Sequence, residues 1–252
     1  MKHFDLRRQV IDAALALNSS GLSAGTSGNV SARVEAGGGF LITPSGVKYD
    51  HLRPEDVVFV DMGGTSHGRL KPSSEWMFHR DIYRERGPAK AIVHAHPPYC
   101  TALACVGRGI PAFHYMVAAA GGKDIRCAPY HIYGSAELSR AALEALQGRR
   151  ACLLAHHGLI AFSETPDKAL RLAVEVEDLA RQYAIVLQLG EPDLLSEADM
   201  EAVLHKFWSY GDNAQKADDR RKATIRPKTQ ANISYPKAAP TRIEGQTEKD
   251  KL

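Results

Sequence analysis

The sequence predicts an α/β sandwich in which a mainly antiparallel sheet is covered by helices. Three observations carry this. Near the N-terminus, short β-rich runs follow one another directly, separated by Gly, Pro and Asp. Further along, helical and strand-like runs do not alternate strictly, which argues against a doubly wound parallel sheet. The chain has 252 residues, 44% of them hydrophobic, which is enough to bury one sizeable core.

The elements follow in order. Leu6, Val10, Ala13, Ala14 and Leu17 have helical spacing over residues 5–19, and Gly21 and Gly25 break that helix. NVSAR, GFLITPSG and DVVFVD read as strands of an antiparallel sheet. A second helix is expected to begin near Pro72–Ser73 and to run through EWMFHRDIYRER to Gly87, which places Glu75 in its first turn. AKAIVHAH is a strand, PPYCTALACVG a helix opened by its prolines, and IPAFHY a short strand before Gly121–Gly122. SAELSRAALEALQG is a helix ending at Gly148, and ACLLAHHGLIAF a single buried strand. TPDKALRLAVEVEDLARQYAIVLQLG is a long amphipathic helix with Thr165 as N-cap and Gly190 as its stop. SEADMEAVLHKFWSYG is a last helix.

Beyond Gly211 the composition changes. From Lys216 onward there are ten Lys/Arg against five Asp/Glu, or +5, so the remainder of this +3 chain carries 3 − 5 = −2. The basic balance belongs to a polar tail over 212–252 that is expected to be disordered, and the body gives no reason to expect nucleic acid. No apolar signal core opens the chain and no run of 18 apolar residues occurs in it, so no membrane partner is expected and a cytoplasmic location is. Cys100, Cys105, Cys127 and Cys152 show no CxxC spacing and read as buried thiols.

The chemistry-bearing residues come in pairs. On a strand, side chains i and i+2 share a face, so His94 and His96 project together, as two ligands of a metal or as two polar residues ending a strand. His156 and His157 end another apolar run. Adjacent residues face opposite ways, and His157, before the flexible Gly158, is the one placed to join a site. Together the pairs supply three nitrogens, the usual protein contribution to a catalytic zinc. Glu75 reads either as favourable charge at a helix start or as a fourth ligand and base. Ser73 and Ser74 at that helix start, with the loops GTSGNVS and TPSG, are plain turns singly and together suit one phosphate. This is not a Walker pattern, because no GK[ST] follows. Of the remaining histidines, His79 and His114 stay open because of their neighbours.

The segments GTSGNVSAR, LITPSGVKYDHL, KPSSEWMFHRDIY, IVHAHP, IPAFHYMVAAAGG, CAPYHIYGS and LLAHHGLIAF, in this order, resemble the class II aldolase/adducin family from about residue 5 to Gly211. The resemblance implies a three-layer α/β/α sandwich over 1–211 with a mostly antiparallel central sheet. It also implies a homotetramer with active sites between neighbouring subunits. Carried over residue by residue, it implies one zinc per subunit on His94, His96, His157 and Glu75, with Glu75 acting as the base during turnover. Gly28, Asn29, Thr43, Gly46, Ser73 and Ser74 hold a substrate phosphate. Tyr115 of a neighbouring subunit protonates the aldehyde oxygen, Tyr210 closes over the site, and Tyr133 stands on the aldehyde side.

The implied reaction is retro-aldol cleavage of a ketose 1-phosphate, with L-fuculose 1-phosphate first. 5-Deoxyribulose 1-phosphate or 5-methylthioribulose 1-phosphate is the close alternative, and dehydration of the latter a third. An adducin-like scaffold is the non-enzymatic reading. Glu75 stands where the epimerase branch has Asp, and adducin-type relatives lack the ligands. Met77 and the run HPPY depart from the fuculose-phosphate branch, which leaves the aldehyde half of the substrate open.

Overall fold

The computed structural model describes residues 1–34 and 38–207. The tail and Tyr210 lie outside the described residues. Helix α1 (Phe4–Ser19) forms where the apolar spacing places it and buries Val10, Ala14 and Leu17. Strands β1 (Asn29–Val34), β2 (Gly39–Ile42) and β3 (Val58–Asp61) form the expected antiparallel run. A two-residue strand β4 (Ser66–His67) extends its edge, too short to leave an alternation in the sequence.

Helix α2 (Trp76–Glu85) begins later than Pro72 suggests. Pro72 bridges Pro44, and the Ser73 N–H donates to the Thr43 carbonyl, so residues 72–74 belong to the sheet margin. Glu75 is consequently the N-cap residue rather than part of the first turn. Strand β5 (Ala91–Ala95) ends one residue before His96, and α3 (Pro98–Cys105) starts on Pro98. IPAFHY does not form a strand. Only an isolated Ile110–Ile125 bridge survives, because Pro111 has no N–H for a ladder, and Tyr115–Ala120 wind into a 3-10 helix.

Strand β6 (Cys127–Ala128) and helix α4 (Ala136–Ala145), capped by Ser135, follow. ACLLAHHGLIAF, expected as one strand, is a hairpin of β7 (Ala151–Leu154) and β8 (Gly158–Ser163). The turn runs through Ala155–His157. His156 takes the left-handed conformation (φ 56°) and the His157 N–H donates to the Leu154 carbonyl. The sequence hid this turn because histidine, not Gly or Asn, occupies the left-handed position.

Helix α5 (Pro166–Leu189) crosses the sheet, and a further helical stretch covers 197–207. The Thr165 hydroxyl accepts from the Lys168 N–H at 3.2 Å. Thr165→Ala is expected to cost about 1 kcal/mol, lowering Tm by about 2–4 °C in a calorimetric scan.

The sheet order is β4-β3-β2-β1-β5-β8-β7-β6. It is mixed: β6 runs parallel to β7, while the other described pairs are antiparallel. Alternate strand residues feed two cores. Val30, Val93, Leu153 and Leu159 pack with α1, α3 and α5, whereas Phe40, Ile92, Leu154 and Ile160 pack with α2 and α4. Helices therefore cover both faces, and the polar residues Asn29, Ser31 and His94 sit on the α2-facing side by the same period of two. All four cysteines are free. Cys100 and Cys152 are buried as expected, but Cys105 is exposed.

Candidate metal centre and substrate cleft

The central strands place the site. In the β1–β5 register Asn29 lies opposite His94, so their side chains neighbour each other on the α2-facing side. The β7–β8 turn brings His157 toward the same point from the next strand pair, and the helix α2 N-terminus brings Glu75. Two glycines let backbones close in. A Cβ on Gly28 (φ 81°) would lie 2.7 Å from the His94 carbonyl oxygen. One on Gly158 would lie 2.2 Å from the Ala95 carbonyl oxygen and 2.8 Å from His96 Cδ2.

One donor atom each from Glu75, His94, His96 and His157 falls within 4.8 Å of the others. His94 Nε2 is 2.9 Å from His96 Nε2 and 3.1 Å from Glu75 Oε2, and His157 Nε2 is 3.2 Å from Glu75 Oε1. Ligands held tetrahedrally at about 2.0–2.1 Å from one ion stand about 3.3 Å apart, close to these separations. The His94 Nδ1–H donates to the Leu159 carbonyl at 2.8 Å, which turns Nε2 toward the cluster.

Glu75 Oε1 is buried with no hydrogen-bond partner, and the facing His94 and His96 nitrogens cannot both present lone pairs without a cation between them. The donor set therefore fits a divalent metal. Its electrostatics agree. Burial pushes the Glu75 carboxyl up, but the three imidazoles outweigh it and hold it down to about 2. Burial first, then His94 and His157, lower His96 to about 3, and burial and His94 lower His157 to about 4. Burial also acts to lower His94, but Glu75 overrides it and raises it.

A cleft of about 390 Å³ opens above the cluster. Its lining combines the small hydroxyl and glycine set Thr26, Ser27, Gly28, Ser45, Gly46, Ser73 and Ser74 with the rings of Tyr130, His131, Tyr133 and His156. The sequence-derived residues Gly28, Asn29, Gly46, Ser73, Ser74 and Tyr133 line it. Thr43 stands behind this lining, its hydroxyl accepting from the Val30 N–H at 3.2 Å. Tyr115 is half exposed and does not line the cleft of its own chain. Tyr130 and His131 lie in the segment CAPYHIYGS and His156 in the pair before Gly158, but nothing in the sequence assigns any of the three a role at the site. His156 has a Tyr130 ring edge-on at 5.9 Å.

The model of the class II aldolase and adducin N-terminal domain matches residues 8–184. The chain belongs to the class II aldolase/adducin family. As a class II aldolase it is a metal-dependent lyase. It is 58% identical over 210 residues to a 5-methylthioribulose-1-phosphate/5-deoxyribulose-1-phosphate aldolase of Rhodospirillum rubrum, covering 83% of this chain and 94% of that one. It is 47% identical over 212 residues to the L-fuculose phosphate aldolase of Escherichia coli K12, covering 84% and 98%. A solved L-fuculose 1-phosphate aldolase superposes with a TM-score of 0.79 at 39% identity, over 82% of this chain and 98% of that one. No described helix of this class II aldolase is long and apolar enough to cross a membrane.

Proposed function

We propose that this class II aldolase cleaves a 5-deoxypentulose 1-phosphate, 5-deoxyribulose 1-phosphate or 5-methylthioribulose 1-phosphate, to dihydroxyacetone phosphate and an aldehyde. The observation that carries the reading is the Glu75, His94, His96 and His157 quartet facing a wall of hydroxyls and glycine backbone. The rings of Tyr130 and Tyr133 in the cleft lining suit an apolar methyl or methylthio substituent, and the 58% identical relative is named for both compounds. This reverses the order expected from sequence, where L-fuculose 1-phosphate came first. That sugar is the second reading, supported by the 47% identical relative.

The cleft residues divide the work. Gly28, Gly46, Ser73 and Ser74 take the phosphate, with the Asn29 amide holding the Ser73 hydroxyl behind them, and fixing the phosphate there lowers the entropic part of the barrier. Breaking C3–C4 leaves negative charge on the dihydroxyacetone phosphate fragment. Zinc, held by His94, His96, His157 and the resting Glu75, is the ion that suits this donor set, and when bound it supplies Lewis-acid stabilisation of that charge. Glu75 then returns a proton to C3, and in the synthetic direction removes it. Tyr115 of a neighbouring subunit accepts the C4 hydroxyl proton. Tyr115 is exposed and does not line its own chain's cleft, which leaves it available to a neighbouring subunit in a homotetramer with shared sites.

The test is a panel of ketose 1-phosphates assayed for dihydroxyacetone phosphate release. The expected result is a kcat/KM for the 5-deoxy and 5-methylthio compounds at least about tenfold above that for L-fuculose 1-phosphate, a difference of about 1.4 kcal/mol in transition-state binding. A preference for L-fuculose 1-phosphate installs the second reading.

A further inference from the structure

Glu75, His79 and Tyr83 lie four residues apart along α2, and Asn29 and Ser31 lie two apart on the strand face opposite. His79 is completely buried, and the chemistry described so far does not use it. The five side chains form one continuous chain of hydrogen bonds whose direction can be derived. Asn29 Nδ2 is 3.0 Å from Glu75 Oε2 and 3.0 Å from Ser73 Oγ. A carboxylate only accepts, so the Asn29 NH2 faces it and Oδ1 faces His79 at 2.5 Å. His79 Nε2 must therefore carry a hydrogen. Burial, then His94, keep this imidazole neutral, its pKa lowered to about 3, so Nδ1 carries a lone pair. That lone pair accepts from the Ser31 hydroxyl at 2.7 Å, and the Ser31 oxygen accepts from the Tyr83 hydroxyl at 2.7 Å. Burial pushes the Tyr83 hydroxyl pKa up, so its proton stays in place to be donated.

We propose that Tyr83, Ser31 and His79 are positioning residues: they hold His79 in its Nε2–H tautomer and so lock the Asn29 amide with its NH2 toward Glu75 and Ser73. This rests on the reading of Glu75 as the base. A single amide then ties the base to a hydroxyl of the phosphate wall. In the opposite His79 tautomer, the Nε2 lone pair would draw the Asn29 NH2 and turn Oδ1 against the carboxylate. The cost is two lost donors and a repulsion at the reacting end.

The test combines tautomer and rate. Nitrogen-15 histidine spectra of the metal-free, substrate-free protein, with His79 assigned by difference against His79→Gln, are expected to show a neutral ring protonated at Nε2. Ser31→Ala removes the donor to Nδ1 and is expected to shift His79 toward the other tautomer. In the same variant kcat for C3 proton exchange of dihydroxyacetone phosphate is expected to fall about tenfold, the size of one lost hydrogen bond. Metal content stays at the wild-type level, as a merely structural lesion would not predict. Tyr83→Phe leaves the Ser31 hydroxyl in place and is expected to lose only about two- to threefold. A wild-type His79 found charged or protonated at Nδ1, or full exchange in Ser31→Ala, overturns the proposal. The tautomer is read without substrate, so its failure is distinguishable from a failure of the Glu75 assignment.

Discussion

Glu75→Gln, purified with its metal, is expected to lose dihydroxyacetone phosphate release by about 10²–10⁴-fold, the usual contribution of a positioned general base. The substitution preserves volume, and a glutamine side-chain oxygen still accepts from Asn29 Nδ2. What disappears is the negative charge that three imidazoles maintain, against burial, by holding the carboxyl near 2, and with it the oxygen lone pair that can take a proton. The informative readout is isotope exchange at C3 of dihydroxyacetone phosphate, because it isolates the proton step from bond cleavage. Near-complete loss of exchange with metal retained is the expected result. Exchange at the wild-type rate would move the base elsewhere in the cleft.

The second large effect comes from a residue with no side chain. Gly158→Ala adds a methyl group 2.2 Å from the Ala95 carbonyl oxygen and 2.8 Å from His96 Cδ2. The first contact is with β5 backbone, which cannot swing aside, so the β7–β8 turn must retreat and His157 with it. Overpacking of this kind costs about 1–3 kcal/mol, a fall in Tm of about 2–12 °C for a domain of this size. The larger consequence is functional, since His96 and His157 would move apart and metal affinity would fall by at least about ten- to a hundredfold. Metal content after dialysis, measured beside Tm, checks both halves. A variant that loses Tm but keeps stoichiometric metal would show that the turn positions neither ligand.

How much was legible beforehand depended on how locally each feature is encoded. Helix α1, helix α5 with its Thr165 cap, and the β1–β3 run carry their own periodicity and punctuation, and they formed where expected. The grouping of Glu75, His94, His96 and His157 was only half legible: HxH, HHG and a Glu at a helix start each allow a plainer reading, the family resemblance implied the set, and tertiary packing brings the four together. The β7–β8 hairpin was not legible. It turns on His156 in a conformation that sequence assigns to Gly or Asn, inside what reads as one apolar run. The turn is what delivers His157 beside Glu75, where an extended strand would have carried it past.

IPAFHY failed as a strand for the opposite reason. Its apolar content suggests pairing, but Pro111 cannot donate to a ladder. The polar chain from Tyr83 to Asn29 was present in the text as E-x3-H-x3-Y facing N-x-S. It could not be read as a network until α2 was placed over β1, because helix and strand periods meet only in the packed structure.

The central claim is that one divalent metal on Glu75, His94, His96 and His157 supports cleavage of a ketose 1-phosphate. Its most direct measurement is dihydroxyacetone phosphate release from 5-deoxyribulose 1-phosphate by the intact protein, before and after exhaustive chelation and after zinc is restored, with metal counted per chain at each stage. One ion per chain is expected, with loss of release by at least about 10³-fold on chelation, equivalent to several kcal/mol of charge stabilisation, and recovery in proportion to the zinc regained. Release at an undiminished rate from metal-free protein would contradict it.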